Sequence, residues 1–257
     1  MDNRPIGIMD SGVGGLTVAR VLRQKYPEES IIFIGDTANN PYGERTSHEI
    51  NVLAGKMKKF LISKNVKMII IACNTITFNV QKKFYDEKIP IEGMSLDLPH
   101  FENAGSITVF ATPATINLHI HKNKIKEKFP NSKIEEMPCE GLAHAIEENN
   151  SREKITEILK KIIEKRKISP TDIGIFACTH YPLVEDVFKK IWNKTKFWDP
   201  AESTVENSMK KLKKENKKSE SYTEDLFYFT ENAERAEILV KKFFGNKVSV
   251  KNIKLGC

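Results

Sequence analysis

Short apolar runs alternate with stretches of helical periodicity along this chain. Residues 6–9, 31–34 and 68–71 are apolar runs typical of buried strands, and helical spacing separates them. In the second half, apolar residues recur at helical spacing over residues 151–167, before another apolar run at residues 173–177. Alternation of buried strands and helices predicts an α/β fold with mostly parallel sheets that are covered on both faces.

One short pattern occurs twice, as IIACNT at residues 70–75 and IFACTH at residues 175–180. Each copy delivers a cysteine directly after an apolar run, so we predict two pseudo-symmetric, doubly wound α/β domains. Their expected extents are residues 1–94 plus 205–257 for the first domain and residues 95–204 for the second. Thiols at equivalent points of two similar halves can approach a small substrate from opposite sides, as stereochemical inversion at a carbon centre requires.

Polar or thiol side chains follow several of the predicted strands, namely Asp10, Asp36, Cys73, Thr112 and Cys178. Ligands of open parallel sheets bind outside the carboxyl ends of the strands. We therefore expect these side chains to line one cleft between the two domains, which is where we predict the active site.

The chemistry expected of Cys73 and Cys178 depends on the thiolate, because an ordinary cysteine with a pKa of about 8.5 is mostly protonated at neutral pH. His180 lies two residues after Cys178 and can exchange protons near neutral pH, and Asp10 is the candidate partner at the other site. The glycine-rich turn at residues 12–17 lacks the third glycine of a dinucleotide fingerprint, so we expect its amides to bind a small acidic or zwitterionic ligand.

Composition narrows the function classes. The 257 residues carry 41 Lys and Arg against 34 Asp and Glu, a formal charge of +7. The lysine-rich residues 210–218 could contact nucleic acid, but they lack arginines and aromatic residues, which favours a solvated helix face or loop.

No C-x-x-C spacing suggests a zinc site, and Cys139 and Cys257 are interpreted as small buried thiols. Neither a long apolar run nor a basic-then-apolar leader occurs, so we expect no membrane contact and a cytoplasmic location.

Several motifs together resemble those of bacterial glutamate racemases. They are DSGVGGL at residues 10–16, GDTA at 35–38 with PYG at 41–43, ACNT at 72–75, AT at 114–115, and CTHYPL at 178–183. They occur in the order and spacing of that family and cover nearly the whole chain. The resemblance implies interconversion of L- and D-glutamate without a cofactor or metal, to supply D-glutamate for peptidoglycan, and by analogy a homodimer.

The resemblance also implies roles for individual residues. Cys73 and Cys178 would be the two catalytic bases, acting on D-glutamate and L-glutamate respectively, with Asp10 and His180 as their proton partners. The residues that would bind substrate are Asp10, Ser11, Tyr42, Gly43, Asn74, Thr75, Thr179 and His180, and Pro41, Thr112 and Thr115 would complete the pocket.

The sequence departs from the family pattern at a few positions. Asn39 and Asn40 stand where the family commonly has an arginine and an apolar residue, Ala177 stands where a glycine is usual, and FTEN at residues 229–232 replaces a small-Gly-Asp turn. Two alternatives stay open at this point. The protein could racemise a related acidic amino acid such as aspartate, or it could be a catalytically silent binding protein of the same fold.

Overall fold

The protein is described by a computed structural model that covers residues 1–102 and 104–256, so the interpretation of Cys257 lies outside the described residues. Within this range the strands are β1 (Ile6–Asp10), β2 (Ile31–Gly35), β3 (Met68–Ile71), β4 (Ile91–Glu92), β5 (Ser106–Ala111), β6 (Lys133–Pro138), β7 (Ile173–Ala177), β8 (Lys196–Trp198), β9 (Leu226–Phe229) and β10 (Ser249–Asn252). The helices are α1 (Leu16–Lys25), α2 (Ser47–Ser63), α3 (Asn74–Asn79), α4 (Pro113–Ile116), α5 (Ile120–Lys128), α6 (Leu142–Glu147), α7 (Arg152–Arg166), α8 (Glu185–Ile191), α9 (Ala201–Lys214) and α10 (Ala233–Phe244).

The strands form two sheets, and every pair of neighbours in them is parallel. The first sheet has the order β10-β9-β2-β1-β3-β4, and the second has the order β6-β5-β7-β8. Apolar clusters cover both faces of each sheet, because the strands are apolar on both sides. The predicted α/β fold with parallel, doubly wound sheets is confirmed.

The two sheets repeat one local arrangement. In the first, β1 lies between β2 and β3, and in the second β5 lies between β6 and β7. In each sheet the strand order reverses at this central strand, and such reversals are where ligands bind in open parallel sheets. Because β3 and β7 are equivalent in this repeat, Cys73 and Cys178 leave their sheets at equivalent points.

Most predicted elements form where the periodicity placed them. The Ser151 side chain caps α7 by accepting a hydrogen bond from the backbone of Lys154, and α10 packs into the core of the first sheet. The lysine-rich stretch begins on the solvated end of α9, where Lys210, Lys213 and Lys214 are exposed. Cys139 is buried, as its interpretation required.

The helix after Cys73 is shorter than the sequence suggests. The sequence of residues 75–85 predicts one continuous helix, but α3 ends at Asn79 and a separate 3-10 turn covers Lys82–Tyr85. Val80 and Gln81 adopt extended backbone conformations between the two. The Asn51 side chain accepts the backbone N–H of Gln81, so α2 provides a hydrogen bond that competes with continuation of the helix.

Helix α9 bears on the domain division. The predicted boundary between residues 204 and 205 falls inside α9, which packs along α1 and contributes Val205 and Leu212 to the core of the first sheet. The division into domains stays a prediction. Across residues 1–102 and 104–256, we find no helix that combines the length and the apolar character that a bilayer crossing requires.

A fully buried ion pair ties together the amino ends of β2 and β3. Lys67 Nζ lies 2.6 Å from Glu29 Oε2, and neither side chain is exposed to solvent. The ammonium group also donates to the Asp2 carbonyl oxygen at 2.7 Å and to Ser219 Oγ at 2.8 Å, while Ser219 donates to Glu29. Both charges are therefore hydrogen-bonded on several sides, which a buried pair needs in order to offset its desolvation.

We expect Lys67→Met to lower the free energy of unfolding by about 3–5 kcal/mol, because it leaves the Glu29 carboxylate buried without its counter-charge. Urea denaturation followed by circular dichroism measures the change. The matched control is Lys160→Met on the exposed face of α7, which should change stability by no more than about 0.5 kcal/mol. Equal effects of the two substitutions would contradict this account of the ion pair.

Candidate active site

A small cavity lies at the carboxyl ends of the strands, between the two sheets. Its lining residues are Ser11, Asn40, Pro41, Tyr42, Gly43, Cys73, Asn74, Thr75, Thr112, Ala143, Cys178, Thr179 and His180. Of the residues predicted to line the cleft or bind substrate, Asp10, Asp36 and Thr115 lie outside this lining. Asp36 and Thr115 hydrogen-bond to lining residues, and Asp10 accepts backbone amides of the turn after β1. The volume is about 20 Å³, which is room for little more than one water molecule. The structure therefore shows a closed site.

Cys73 enters the cavity from the first sheet. It follows β3, precedes α3 and is 5% exposed, and its Sγ lies 3.6 Å from Ser11 Oγ. Burial raises the pKa of this thiol strongly, and the nearby negative charge of Asp10 raises it further. The backbone N–H of Ile76 and the Ser11 hydroxyl oppose that rise. The thiol form of Cys73 is thus favoured in the closed cavity.

Asp10 is the last residue of β1 and is completely buried. Its Oδ2 accepts the backbone N–H groups of Gly12 at 3.2 Å and Gly15 at 2.9 Å. Its Oδ1 accepts no hydrogen bond from any described residue. Burial raises the pKa of Asp10, while the charge of His180 and the two turn amides act in the opposite direction. This carboxyl group can therefore hold a proton more readily than an exposed aspartate can.

Three amides of the glycine-rich turn are bound to carboxylates of the protein, and the expected binding of a ligand by this turn stays a prediction. The N–H groups of Gly12 and Gly15 donate to Asp10, and the N–H of Val13 donates to Glu147. The turn thus binds two carboxylates of the protein itself. A short run of glycines cannot reveal from its spacing whether its anion is a ligand or a neighbouring side chain.

Cys178 enters the cavity from the second sheet, directly after β7. Its Sγ lies 3.8 Å from His180 Nδ1, and His180 Nε2 lies 2.6 Å from Glu147 Oε2. Burial by itself would lower the pKa of His180, but its hydrogen bonds to Cys178 and Glu147 raise the pKa well above the usual value. The geometry therefore favours an imidazolium that lies between the sulfur of Cys178 and the carboxylate of Glu147.

Glu147 is a site residue that the sequence analysis missed. It ends α6, and both of its carboxylate oxygens lie 3.1 Å from the backbone nitrogen of Val13, in the turn that follows β1. The next residue, Glu148, instead pairs with Arg235 at the surface. The sequence offers one weak indication of a role for Glu147. A carboxylate at the carboxyl end of a helix is unfavourable, so its presence there suggests another interaction.

Tyr42 is held in the cavity wall by Asp36. The tyrosine hydroxyl donates to Asp36 Oδ2 at 2.5 Å, and its side chain is almost fully buried. Asp36 also accepts hydrogen bonds from Asn39 Nδ2 at 3.0 Å and Thr230 Oγ1 at 2.7 Å. Asn39 and Thr230 lie in two of the stretches that depart from the family pattern, and here both fix the carboxylate that orients Tyr42.

Three threonines beside the cavity form hydrogen bonds between the segments that follow the two sheets. Thr75 Oγ1 lies 3.0 Å from Thr112 Oγ1 and 3.4 Å from Thr115 Oγ1. Beside them, both amide atoms of Asn74 are buried without a hydrogen-bond partner in the described part of the chain. Buried polar groups are normally paired, so these atoms are available to a ligand. No group of three or more His, Cys, Asp or Glu suited to a metal ion occurs among the described residues.

Comparisons with known proteins decide the family. No protein-family model matches the chain. A glutamate racemase of Streptococcus thermophilus is 34% identical to it, and the alignment covers 99% of this chain and 97% of that protein. The chain belongs to the glutamate racemase family. The family predicted from the sequence motifs is thereby confirmed.

Solved structures of glutamate racemases share the fold over its full length. That of the Bacillus anthracis enzyme has a TM-score of 0.86 at 27% identity, and the alignment covers 99% of each chain. That of the Francisella tularensis glutamate racemase, solved in complex with D-glutamate, has a TM-score of 0.85 at 31% identity and also covers 99% of each chain. The family resemblance thus extends over both sheets.

Gly14 provides a test of how tightly the two halves of this racemase fit. A Cβ on Gly14 would lie 2.5 Å from His180 Nδ1 and 2.7 Å from Thr179 Oγ1. We expect Gly14→Ala to lower the rate of glutamate racemisation about 100-fold. The added methyl group would displace His180 and Thr179, and small displacements of reacting groups can lower a rate by this factor. Overpacking of a buried site costs about 1–3 kcal/mol of stability, so the melting temperature should also fall, with the protein still folded at the assay temperature. Steady-state kinetics and calorimetry measure the two effects.

Gly55→Ala in α2 is the matched control, since no heavy atom lies within 4 Å of the added Cβ. It should retain full activity and gain about 1 kcal/mol of stability from the higher helix propensity of alanine. A Gly14→Ala protein with normal turnover would show that contact between the turn and His180 is unimportant.

Proposed function

We propose that this protein interconverts L-glutamate and D-glutamate with two cysteine bases and no organic cofactor, and that it supplies D-glutamate for peptidoglycan. One observation carries the proposal. Cys73 and Cys178 come from different sheets and line one buried cavity, each beside a group that can exchange protons. Membership of the glutamate racemase family supports glutamate as the substrate.

In the proposed mechanism, one cysteine thiolate removes the α-proton and the opposite cysteine thiol returns a proton to the other face. Cys73 acts on D-glutamate with Asp10 as its proton partner, and Cys178 acts on L-glutamate with His180 as its partner. Donors in a closed, water-poor cavity stabilise the negative charge that develops on the substrate. The unpaired amide of Asn74 is a group on the cavity wall that can serve this purpose.

Glu147 acts in this mechanism as a positioning residue. Its carboxylate fixes the orientation of the His180 ring and favours the imidazolium, while it binds the turn after β1. We propose that the other predicted binding residues contact the substrate, except for two that do not line the cavity. Thr115 orients Thr75 and Thr112, and Asp10 acts on Cys73.

Substrate entry requires the closed site to open. A cavity of about 20 Å³ cannot hold glutamate, so the two sheets must separate at their carboxyl ends. Opening would break the hydrogen bonds between Val13 and Glu147 and between Thr75 and Thr112. Closure around the substrate would leave a larger cavity than the one in this structure and would exclude water from the reacting atoms.

Three further expectations belong to this proposal. A cytoplasmic location suits it, because Cys73 and Cys178 must stay reduced to act as bases. Residues 1–94 with 205–257 would be one domain and residues 95–204 the other. The homodimer rests on analogy with the family, and light scattering of the purified protein tests it.

The function is tested directly with purified protein and L-glutamate, with no cofactor added. We expect the circular dichroism signal of the amino acid to decay to zero, since the enantiomers have equal free energy in water. If aspartate loses its signal and glutamate does not, the substrate assignment is wrong. If neither reacts and the protein binds nucleic acid at physiological salt, the binding-protein alternative is correct.

We expect Cys73→Ala and Cys178→Ala each to abolish racemisation, because the return proton then has no donor on one face. In heavy water, the wild-type protein should place deuterium at the α-carbon of the product while the remaining substrate stays protiated early in the reaction. Mass spectrometry of the separated enantiomers measures this distribution.

Two outcomes contradict the two-thiol mechanism. Rapid entry of deuterium into unreacted substrate would indicate that one exchangeable base serves both faces. Robust racemisation by the Cys73→Ala protein would exclude Cys73 as a base.

We expect Glu147→Gln to slow proton transfer at Cys178 selectively. The values of kcat/KM in the two directions must fall together, because the enantiomers have equal free energy, so the selectivity is seen in isotope effects. With α-deuterated L-glutamate the isotope effect on kcat/KM should rise, and with α-deuterated D-glutamate it should fall. The alkaline limb of the pH profile should move to lower pH, since loss of the carboxylate charge lowers the pKa of His180.

Asp10→Asn is the matched control for Glu147→Gln, and its two isotope effects should change in the opposite sense. Identical changes in both variants would show that Glu147 and Asp10 do not assist different thiols.

A further inference from the structure

Asn40 presents an unpaired donor beside the substrate cavity. Asn40 is one of the residues that line the cavity, with Cys73, Asn74 and Cys178. The amide nitrogen Nδ2 is buried and donates no hydrogen bond to any residue of the described ranges, 1–102 and 104–256. A buried donor without a partner is uncommon, because it loses its bonds to water and gains none in exchange.

The position of this amide depends on the turn after β1. A Cβ on Gly12 would lie 2.6 Å from Asn40 Nδ2 and 2.5 Å and 2.7 Å from the two oxygens of Glu147. The missing side chain of Gly12 therefore leaves space that the amide and the carboxylate share. The Glu147 oxygens already accept hydrogen bonds from Val13 and His180, and Asn40 Nδ2 donates to neither of them.

The chemistry of Asn40 Nδ2 indicates which kind of group would be its hydrogen-bond partner. Nδ2 only donates hydrogen bonds, so its partner must be an acceptor. Glutamate offers acceptors only on its two carboxylates, because its ammonium group donates. Hydrogen bonds from an amide to a carboxylate are among the stronger ones, since the acceptor is ionised.

We propose that Asn40 is an additional substrate-binding residue of this protein, whose Nδ2 donates a hydrogen bond to a carboxylate oxygen of bound glutamate. The inference rests on the proposed function. It gives this chain a polar contact at a position where the family commonly has an apolar residue. The same hydrogen bond would form with either enantiomer, because it does not involve the reacting α-carbon.

The test compares Asn40→Ala and Asn40→Leu with the wild-type protein. We expect KM to rise roughly 10- to 100-fold for both enantiomers, as for loss of one hydrogen bond to a charged group, with kcat changed less than threefold. Asn40→Leu keeps the volume of the side chain, so it separates the lost donor from a lost contact. Asn193→Leu, at an exposed position, is the control and should leave both parameters unchanged.

A binding measurement keeps this inference separate from the proposed function. Calorimetric titration of D-glutamate into Cys178→Ala and into Cys178→Ala with Asn40→Ala requires no turnover, and the second protein should bind 10- to 100-fold more weakly. If the wild-type protein fails to racemise glutamate, the proposed function fails, and the titration still tests the contact.

Two results would overturn the role of Asn40. One is an unchanged KM and an unchanged dissociation constant in the Asn40 variants. The other is a change in the isotope effect of one enantiomer without any loss of binding, which would mean that Asn40 acts on Glu147 and His180 instead of the substrate.

Discussion

The carboxylate of Glu147 is the interaction on which the two halves of the site depend. It ends α6, which packs against the second sheet, yet it binds the backbone of Val13 in the turn after β1 and the ring of His180 beside Cys178. One anion thus links the turn after β1 to the imidazole ring beside Cys178. When it is in place, the carboxyl ends of β3 and β7 converge and both thiols reach the same cavity.

The two thiols reach this cavity in different electrostatic settings. Around Cys73, burial and the charge of Asp10 favour the neutral thiol. Around Cys178, the hydrogen bonds of His180 to sulfur and to Glu147 favour a charged imidazolium. The two sheets therefore share one arrangement of strands, but the charged groups beside their cysteines differ.

The sequence predicts the parts of this structure that depend on local patterns. Buried strands are evident from apolar runs, and residues that follow parallel strands converge at one edge, which brought Cys73 and Cys178 together correctly. Glu147 could not be found in this way, because its partners Val13 and His180 are distant in sequence and Glu148 has the same local pattern. The end of α3 was missed for a similar reason, since the competing hydrogen bond comes from Asn51 in another helix.

The glycines of the turn after β1 carry a consequence for how such a chain can change during evolution. Of the described glycines, only Gly141 and Gly245 have a positive φ, so backbone conformation does not require glycine at residues 12 and 14. At Gly14 a side chain is excluded by Thr179 and His180 of the opposite half, and at Gly12 it is excluded by Glu147 of the opposite half together with Asn40. Although the two halves repeat one arrangement, neither can diverge freely. Substitutions tolerated in the first half depend on the residues present in the second, so halves exchanged between distant relatives would carry mismatched surfaces into the cleft.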